Sequence, residues 1–157
     1  MTAKRPMKIL SLLLVLLWML VIFHLSAQPA SHSNAQSKDL VARLVETAVK
    51  ITGVELDPPE KKQLVSRINS TAREYMHGVV FLVLGLLVYR AVTNRGLTKT
   101  KAVAIAMAIC LAYGLSDEIH QLFVPGRAFE LSDLVMDGLG SLIGIGLACL
   151  KRSRATP

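Results

Sequence analysis

Four apolar runs divide this chain, and each is nearly long enough to cross a lipid bilayer. They are Ile9 to Phe23, Gly78 to Val92, Ala102 to Leu115 and Leu134 to Leu150. A spanning helix needs roughly 20 mostly apolar residues. Each run reaches that length by drawing flanking polar residues into helix, which gives spans at about 9–25, 77–92, 102–121 and 133–150. The expected fold class is therefore all-α: a polytopic membrane helical bundle of four transmembrane helices, forming a single domain over 1–157. Composition agrees. Hydrophobic residues make up 52% of the chain and only 5% is aromatic, with a mean hydropathy of +0.47. A protein of that make-up would leave apolar surface facing water, so lipid is the expected partner.

Charge sets the expected orientation. The net charge is +7, which in a soluble protein would suggest nucleic acid, but its distribution points elsewhere. Lys4, Arg5 and Lys8 precede the first span. Arg90, Arg95, Lys99 and Lys101 surround the turn between the second and third. Lys151, Arg152 and Arg154 follow the fourth. These segments hold ten basic residues and no Asp or Glu, whereas the turn between the third and fourth spans has Arg127 alone. Short cytoplasmic loops collect Lys and Arg, so both termini are expected in the cytoplasm and the protein in the bacterial cytoplasmic membrane. The loop 26–76 holds seven basic and six acidic residues and argues neither way. The N-terminal 35 residues also fit a secretory signal, with small residues near Ala27 and Ala35; cleavage would leave the other three spans in the same orientation. Cys110 and Cys149 lie within apolar runs and read as small core residues.

Two amphipathic helices are expected in the loop 26–76, which would be extracytoplasmic. Leu40, Val41, Leu44, Val45, Ala48 and Val49 recur at helical spacing. Asp57 is placed to cap a second helix, with Pro58 at its first position and Leu64, Val65 and Ile68 on one face. Both are expected to cover the bundle or lie in the membrane interface.

The polar residues are less ordinary. "LSDEIHQLFVPGR", 115–127, ends the third span with Asp117, Glu118, His120, Gln121 and Arg127. Its D-E-x-H string matches a helicase box, but no phosphate-binding G-x-x-x-x-G-K-[ST] loop accompanies it. The helix is expected to run through Phe123. Asp117, His120 and Gln121 then share one face, with Glu118 about 100° away toward another neighbour. In the fourth span Ser132 is the expected cap, and Asp133 and Asp137 share a face that Gly140 and Gly144 continue, where another helix can approach closely. His77 opens the second span one turn after Arg73. His24, Ser26 and Gln28 end the first, with His24 expected at the interface and Glu130 expected in solvent. All four spans thus place polar groups in one outer layer. Intramembrane ionisable groups are costly and usually pair inside the bundle, so a polar pocket open to the outer side is expected. The plainer alternative is helix-locking salt bridges, Arg127 with Asp133 or Arg73 with Asp137. Arg127 is expected to reach back to Asp133, Asp137 or Glu118.

Three segments resemble the VanZ-like family of small bacterial membrane proteins, named for a teicoplanin-resistance determinant. "SAQPASHS" is similar to the family's S-[SA]-Q-P-x-x-S segment. "REYMHGVVFLVLG" is similar to its R-K-x-x-H-F pattern. "SDEIHQLFVPGRAFELSDLVMDGLGSLIG" resembles its long D-E-x-H-Q-x-x-x-P-G-R…D-x-x-x-[DN]-x-x-G signature. The likeness runs from Ile9 to about Leu147. Glu74 and Gly78 depart from it, where a basic and an aromatic residue are usual. The resemblance implies a polytopic protein that keeps its first span. It carries over Arg73, His77, Asp117, Glu118, His120, Gln121, Arg127, Asp133 and Asp137 as motif positions without roles.

Three functions stay open. The first is binding of, or shielding against, an amphiphile such as an envelope lipid or lipoglycopeptide, with Arg73, His77, Gln121, Arg127 and Asp133 as binding residues and lowered teicoplanin susceptibility as the consequence. The second is a membrane-embedded hydrolase or transferase acting on a lipid-linked substrate. Its catalytic candidates are His120, Asp117, Glu118 and Asp137, and His77, Asp117, Glu118, His120 and Asp137 are candidate ligands for a divalent metal. The third is a structural or interaction subunit. No cofactor is required by any motif, no nucleic-acid partner is expected, and the sequence leaves the oligomeric state open.

Overall fold

A computed structural model describes the backbone of residues 5–54 and 56–153. Lys4 and Arg154, two of the ten basic residues counted above, lie outside the described residues. Five helices form among those described: α1 Arg5–Ser26, α2 Ala30–Thr52, α3 Pro58–Thr93, α4 Lys99–Gln121 and α5 Leu131–Ser153. The four expected spans fall within α1, α3, α4 and α5, each long and apolar enough to cross a membrane. At about 1.5 Å per residue α1 is ~33 Å long, matching a hydrocarbon core of ~30 Å.

The expected span boundaries need extension at α3. The second amphipathic helix of the loop does not end before the membrane; it continues unbroken into the span as one helix of 36 residues. Its start is as the sequence suggests. Asp57 is the N-cap residue, Pro58 opens the helix, and the Asp57 backbone N–H lies 3.4 Å from the Glu60 carboxylate. α2 is a separate helix that ends at Gly53 in the left-handed conformation. Of its expected apolar positions Val41 and Val45 are buried, while Leu40 and Leu44 stay exposed. Lys61 also reaches Glu46 at 2.7 Å and holds that carboxyl below its usual range. The pair is exposed, so it contributes little.

α5 packs along α3 through small residues. Gly140 lies against the Gly78 carbonyl, Gly144 against the Leu82 carbonyl, and Gly85 of α3 against the Ser141 backbone. With no Cβ between them, the two backbones approach closely enough for van der Waals packing to drive association without a hydrophobic term. Phe81, Leu84, Val88, Tyr89, Ala106, Cys110 and Ile145 fill the core around this seam. α1 lies outermost. Leu10, Leu13, Leu17 and Leu20 are each more than half exposed, a stripe suited to lipid. Two side chains pin α1 to its neighbours: Trp18 donates to the Val80 carbonyl at 2.8 Å and the Tyr113 hydroxyl donates to the Met19 carbonyl at 2.6 Å.

Two turn details differ from expectation. α4 ends at Gln121, not Phe123, and a turn over 122–126 follows. α5 begins at Leu131, so Ser132 lies in its first turn and is not its cap. Gly126 takes φ +76 there and sits against Ala30. The Ala30 N–H donates to the Pro125 carbonyl at 3.2 Å, which joins the α1–α2 turn to the α4–α5 turn.

Candidate functional site

The polar residues gather at the end of the bundle where α1 and α4 finish and α5 starts. α3 contributes Asn69, Arg73 and His77, spaced four apart and so along one stripe. α5 contributes Asp133 and Asp137, one turn apart and each 1% exposed. α4 contributes Asp117, Glu118 and Gln121, all buried. α1 contributes Ser26, which donates to Asp117 Oδ2 at 2.7 Å; Gln121 donates to the same oxygen at 3.3 Å.

His77 lies between the two α5 carboxylates. Its Nε2 is 3.4 Å from Asp133 Oδ2 and its Nδ1 is 3.3 Å from Asp137 Oδ1. Those separations suit ion pairing, but neither carboxylate oxygen nor Nδ1 has hydrogen-bond geometry to a partner. Glu118 accepts from the Glu130 backbone N–H at 2.8 Å through Oε2, while Oε1 is buried without a partner. The end of the α4–α5 connection therefore folds back onto an acid of α4.

The helical face of α4 is not the one spacing suggested. Asp117 and Gln121 point inward together as expected, but Glu118 joins them, fully buried. His120 turns aside to stack on Phe23 of α1, with ring centroids 4.5 Å apart, and its Nε2 is buried without a partner. The expected arginine pairs also differ. Arg127 donates through Nε to the Gln28 carbonyl at 3.4 Å rather than meeting Asp133, Asp137 or Glu118. Arg73 lies 3.9 Å from Glu130, not beside Asp137, so Glu130 is exposed yet paired. His24 is exposed, in keeping with an interfacial residue.

A cavity of about 330 Å³ opens beside this cluster, between α1, α2 and the first half of α3. Ile22, Leu25, Val41 and Met76 give it apolar walls, and Arg73, His77 and Arg127 line its polar part. Burial lowers the Arg127 pKa from the ordinary arginine value. The Arg73 charge acts in the same direction, against the opposing pull of Asp133, Asp117 and Glu130. An arginine stays protonated under such pressure, so two guanidinium charges face one cavity. A smaller cleft of about 240 Å³ adjoins Arg73, lined by Asn69, Glu130 and Asp133. Asn69 was not singled out from sequence. Continuing the four-residue spacing back from His77 through Arg73 reaches it.

The profile of the VanZ/LLP1 family matches residues 11–152, nearly the whole chain. No curated protein and no solved structure matches it.

Proposed function

The chain belongs to the VanZ/LLP1 family, and on that premise we propose that its cavity holds an anionic amphiphile at the outer face of the cytoplasmic membrane. The ligand class is a lipid-linked envelope component or a lipoglycopeptide. One observation carries this reading: Arg73 and Arg127 share, with His77, Asn69 and Gln121, the polar part of a cavity that is otherwise walled mainly by apolar side chains. Two cations held near each other repel, and an anionic head group relieves that repulsion. Arg forks bind phosphate or carboxylate with two parallel bonds. The walls from Ile22, Leu25, Val41 and Met76 suit an acyl or isoprenoid chain, and most small-ligand sites pair an apolar lining with a few placed polar groups. In this reading both termini are cytoplasmic, the end holding Ser26 and Gln121 faces outward, and sequestration of the ligand lowers teicoplanin susceptibility.

A second reading, a hydrolase or transferase acting on the same ligand, has one observation in its favour. His77 lines the cavity and also contacts Asp133 and Asp137, so a bound head group would lie beside an acid-paired imidazole able to act as a general base.

Binding separates the amphiphile readings from a purely structural subunit. In detergent micelles, a fluorescent polyprenyl phosphate should bind the protein, and an uncharged polyprenol should not. Arg73→Gln with Arg127→Gln should weaken binding about 100-fold, since charge-assisted bonds contribute about 1.5–3 kcal/mol each and the two effects overlap. Equal binding of both probes, or no loss in the folded double variant, would reject the cavity as the site. Appearance of inorganic phosphate or free polyprenol during incubation would select the enzymatic reading.

A further inference from the structure

We propose that His77, Glu118 and Asp133 form a divalent-cation site, with Asp137 holding the imidazole from behind. One donor atom from each of the three residues lies within 4.8 Å of the others. Donors bonded to one ion at ~2.1 Å lie at most about 4.2 Å apart, so an ion would draw the three slightly together. They come from three helices, α3, α4 and α5, so the site would also tie the bundle's end together.

Two further observations point to a ligand beyond the acidic cluster itself. First, Glu118 is fully buried with Oε1 unpartnered, and Asp137, 1% exposed, has no hydrogen bond to either oxygen. Buried polar atoms are normally satisfied, and each exception calls for a cause. Second, the charges do not balance. Asp117, Glu118, Asp133 and Asp137 are each at most 3% exposed. Among the described residues no lysine or arginine lies in salt-bridge contact with any of them; Arg73 pairs with Glu130, and Arg127, bonded to the Gln28 carbonyl, acts on Asp133 and Asp117 only from farther away. Ser26, Gln121 and a backbone N–H are neutral partners. One imidazolium could offset one of four carboxylates. A dication bound by two of them offsets both.

The geometry around His77 assigns the roles. Its Nε2 faces Asp133 and its Nδ1 faces Asp137. With Nε2 on the ion, Nδ1 lies 3.3 Å from Asp137 Oδ1, and a small turn of the ring would let its N–H donate there, the arrangement in which a second carboxylate fixes the tautomer of a metal-bound histidine. One imidazole and two carboxylates suit a first-row transition ion, zinc before manganese, over calcium or magnesium, which prefer all-oxygen shells. Three protein donors leave at least one coordination position open. This inference stands whether or not the cavity takes an amphiphile, because its readout is the ion.

The test uses full-length protein carrying an affinity tag without histidine. The protein is stripped with EDTA, incubated with zinc or manganese chloride and desalted, and its metal is counted by mass spectrometry. Thermal unfolding is followed in parallel. The stripped protein should regain about one ion per chain and melt several degrees higher with the ion than without it. Glu118→Gln and Asp133→Asn should each lose retention. Asp137→Asn should bind about 10–100-fold more weakly, and the exposed-site control His24→Gln should bind normally. If neither metal is retained by the wild-type protein and neither raises its melting point, the site is refuted. Retention undiminished in a folded Glu118→Gln protein would refute it equally. If the variants do not fold, the wild-type count and melting shift decide alone.

Discussion

Replacing Gly144 with valine should produce the largest loss of stability of any single change in the bundle. A Cβ at Gly144 would overlap the Leu82 carbonyl oxygen and lie 3.0 Å from the Leu86 nitrogen. Those are main-chain atoms well inside a long helix, so no side chain can swing away to make room. The two helices must separate, and the packing along Gly140, Ser141 and Gly85 separates with them. Overpacking a core costs about 1–3 kcal/mol where side chains can adjust; a backbone clash should exceed ~3 kcal/mol. Gly146 is the matched control, because nothing lies within 4 Å of a Cβ there. In detergent, Gly144→Val should melt far below the native protein or aggregate on size exclusion, while Gly146→Ala should match it. Equal melting of the two would mean that α3 and α5 do not meet as described.

The second large effect is expected at His77. His77→Leu leaves Asp133 and Asp137, each 1% exposed, one turn apart with the imidazole between them gone. Removing one partner from a buried charged group costs about 3–5 kcal/mol, because the other is left stranded. Asp137→Asn should recover part of that loss, since it removes one of the stranded charges. The double variant should therefore be more stable than the sum of the single effects predicts, with a coupling of about 0.5–3 kcal/mol. Strictly additive melting shifts would show that the 3.3 Å approach of Asp137 to His77 carries no energy. A bound cation would enlarge the effect of His77→Leu without removing the coupling, since Asp137 would still act through the imidazole.

Much of this arrangement is legible from spacing alone. Asp133, Asp137, Gly140 and Gly144 advance by three or four residues, and such a series must lie along one face of a helix. Where small residues continue an acidic stripe, a close neighbour helix is the natural partner, and α3 is that partner. Arg73 and His77 follow from the same rule, and so does Asn69.

Two features were not legible, each for a definite reason. Spacing groups Asp117 with Gln121, about 40° apart around the helix, and the i, i+3 rule adds His120 and sets Glu118 apart, although spacing alone does not decide which flanking residue shares their burial. Glu118 lies at about +100° and His120 at about −60°, so either can complete an inward arc. Which one does depends on how α4 is rotated against α1 and α5, and long-range packing sets that. The outcome put Glu118 inside and His120 on Phe23. The continuity of α3 was missed for a different reason. Polarity changes sharply near His77, and a change of polarity looks like a boundary. But no proline occurs between Pro59 and Pro125, and a change of composition is not a helix stop signal. The helix simply passes from a polar surround into an apolar one.

The arginine contacts belong with these. A guanidinium on a long stem can reach several acceptors, and Arg127 follows a turn whose path spacing does not specify. The Ala30–Pro125 hydrogen bond brings the end of α1 close to it, which places the Gln28 carbonyl within reach and leaves the α5 carboxylates to His77.

Cysteine accessibility tests most directly whether the cavity opens to the outer side of the membrane. Met76 lines the cavity and is 55% exposed. In a background with Cys110→Ala and Cys149→Ala, Met76→Cys should react with a membrane-impermeant maleimide added to intact cells, or to spheroplasts if an outer membrane blocks the reagent. Leu97→Cys, in the α3–α4 turn at the opposite end, should react only after the membrane is permeabilised. The reverse pattern, with Leu97→Cys labelled in intact cells and Met76→Cys protected until permeabilisation, would place the arginines and the acid–histidine cluster on the cytoplasmic side and contradict the account.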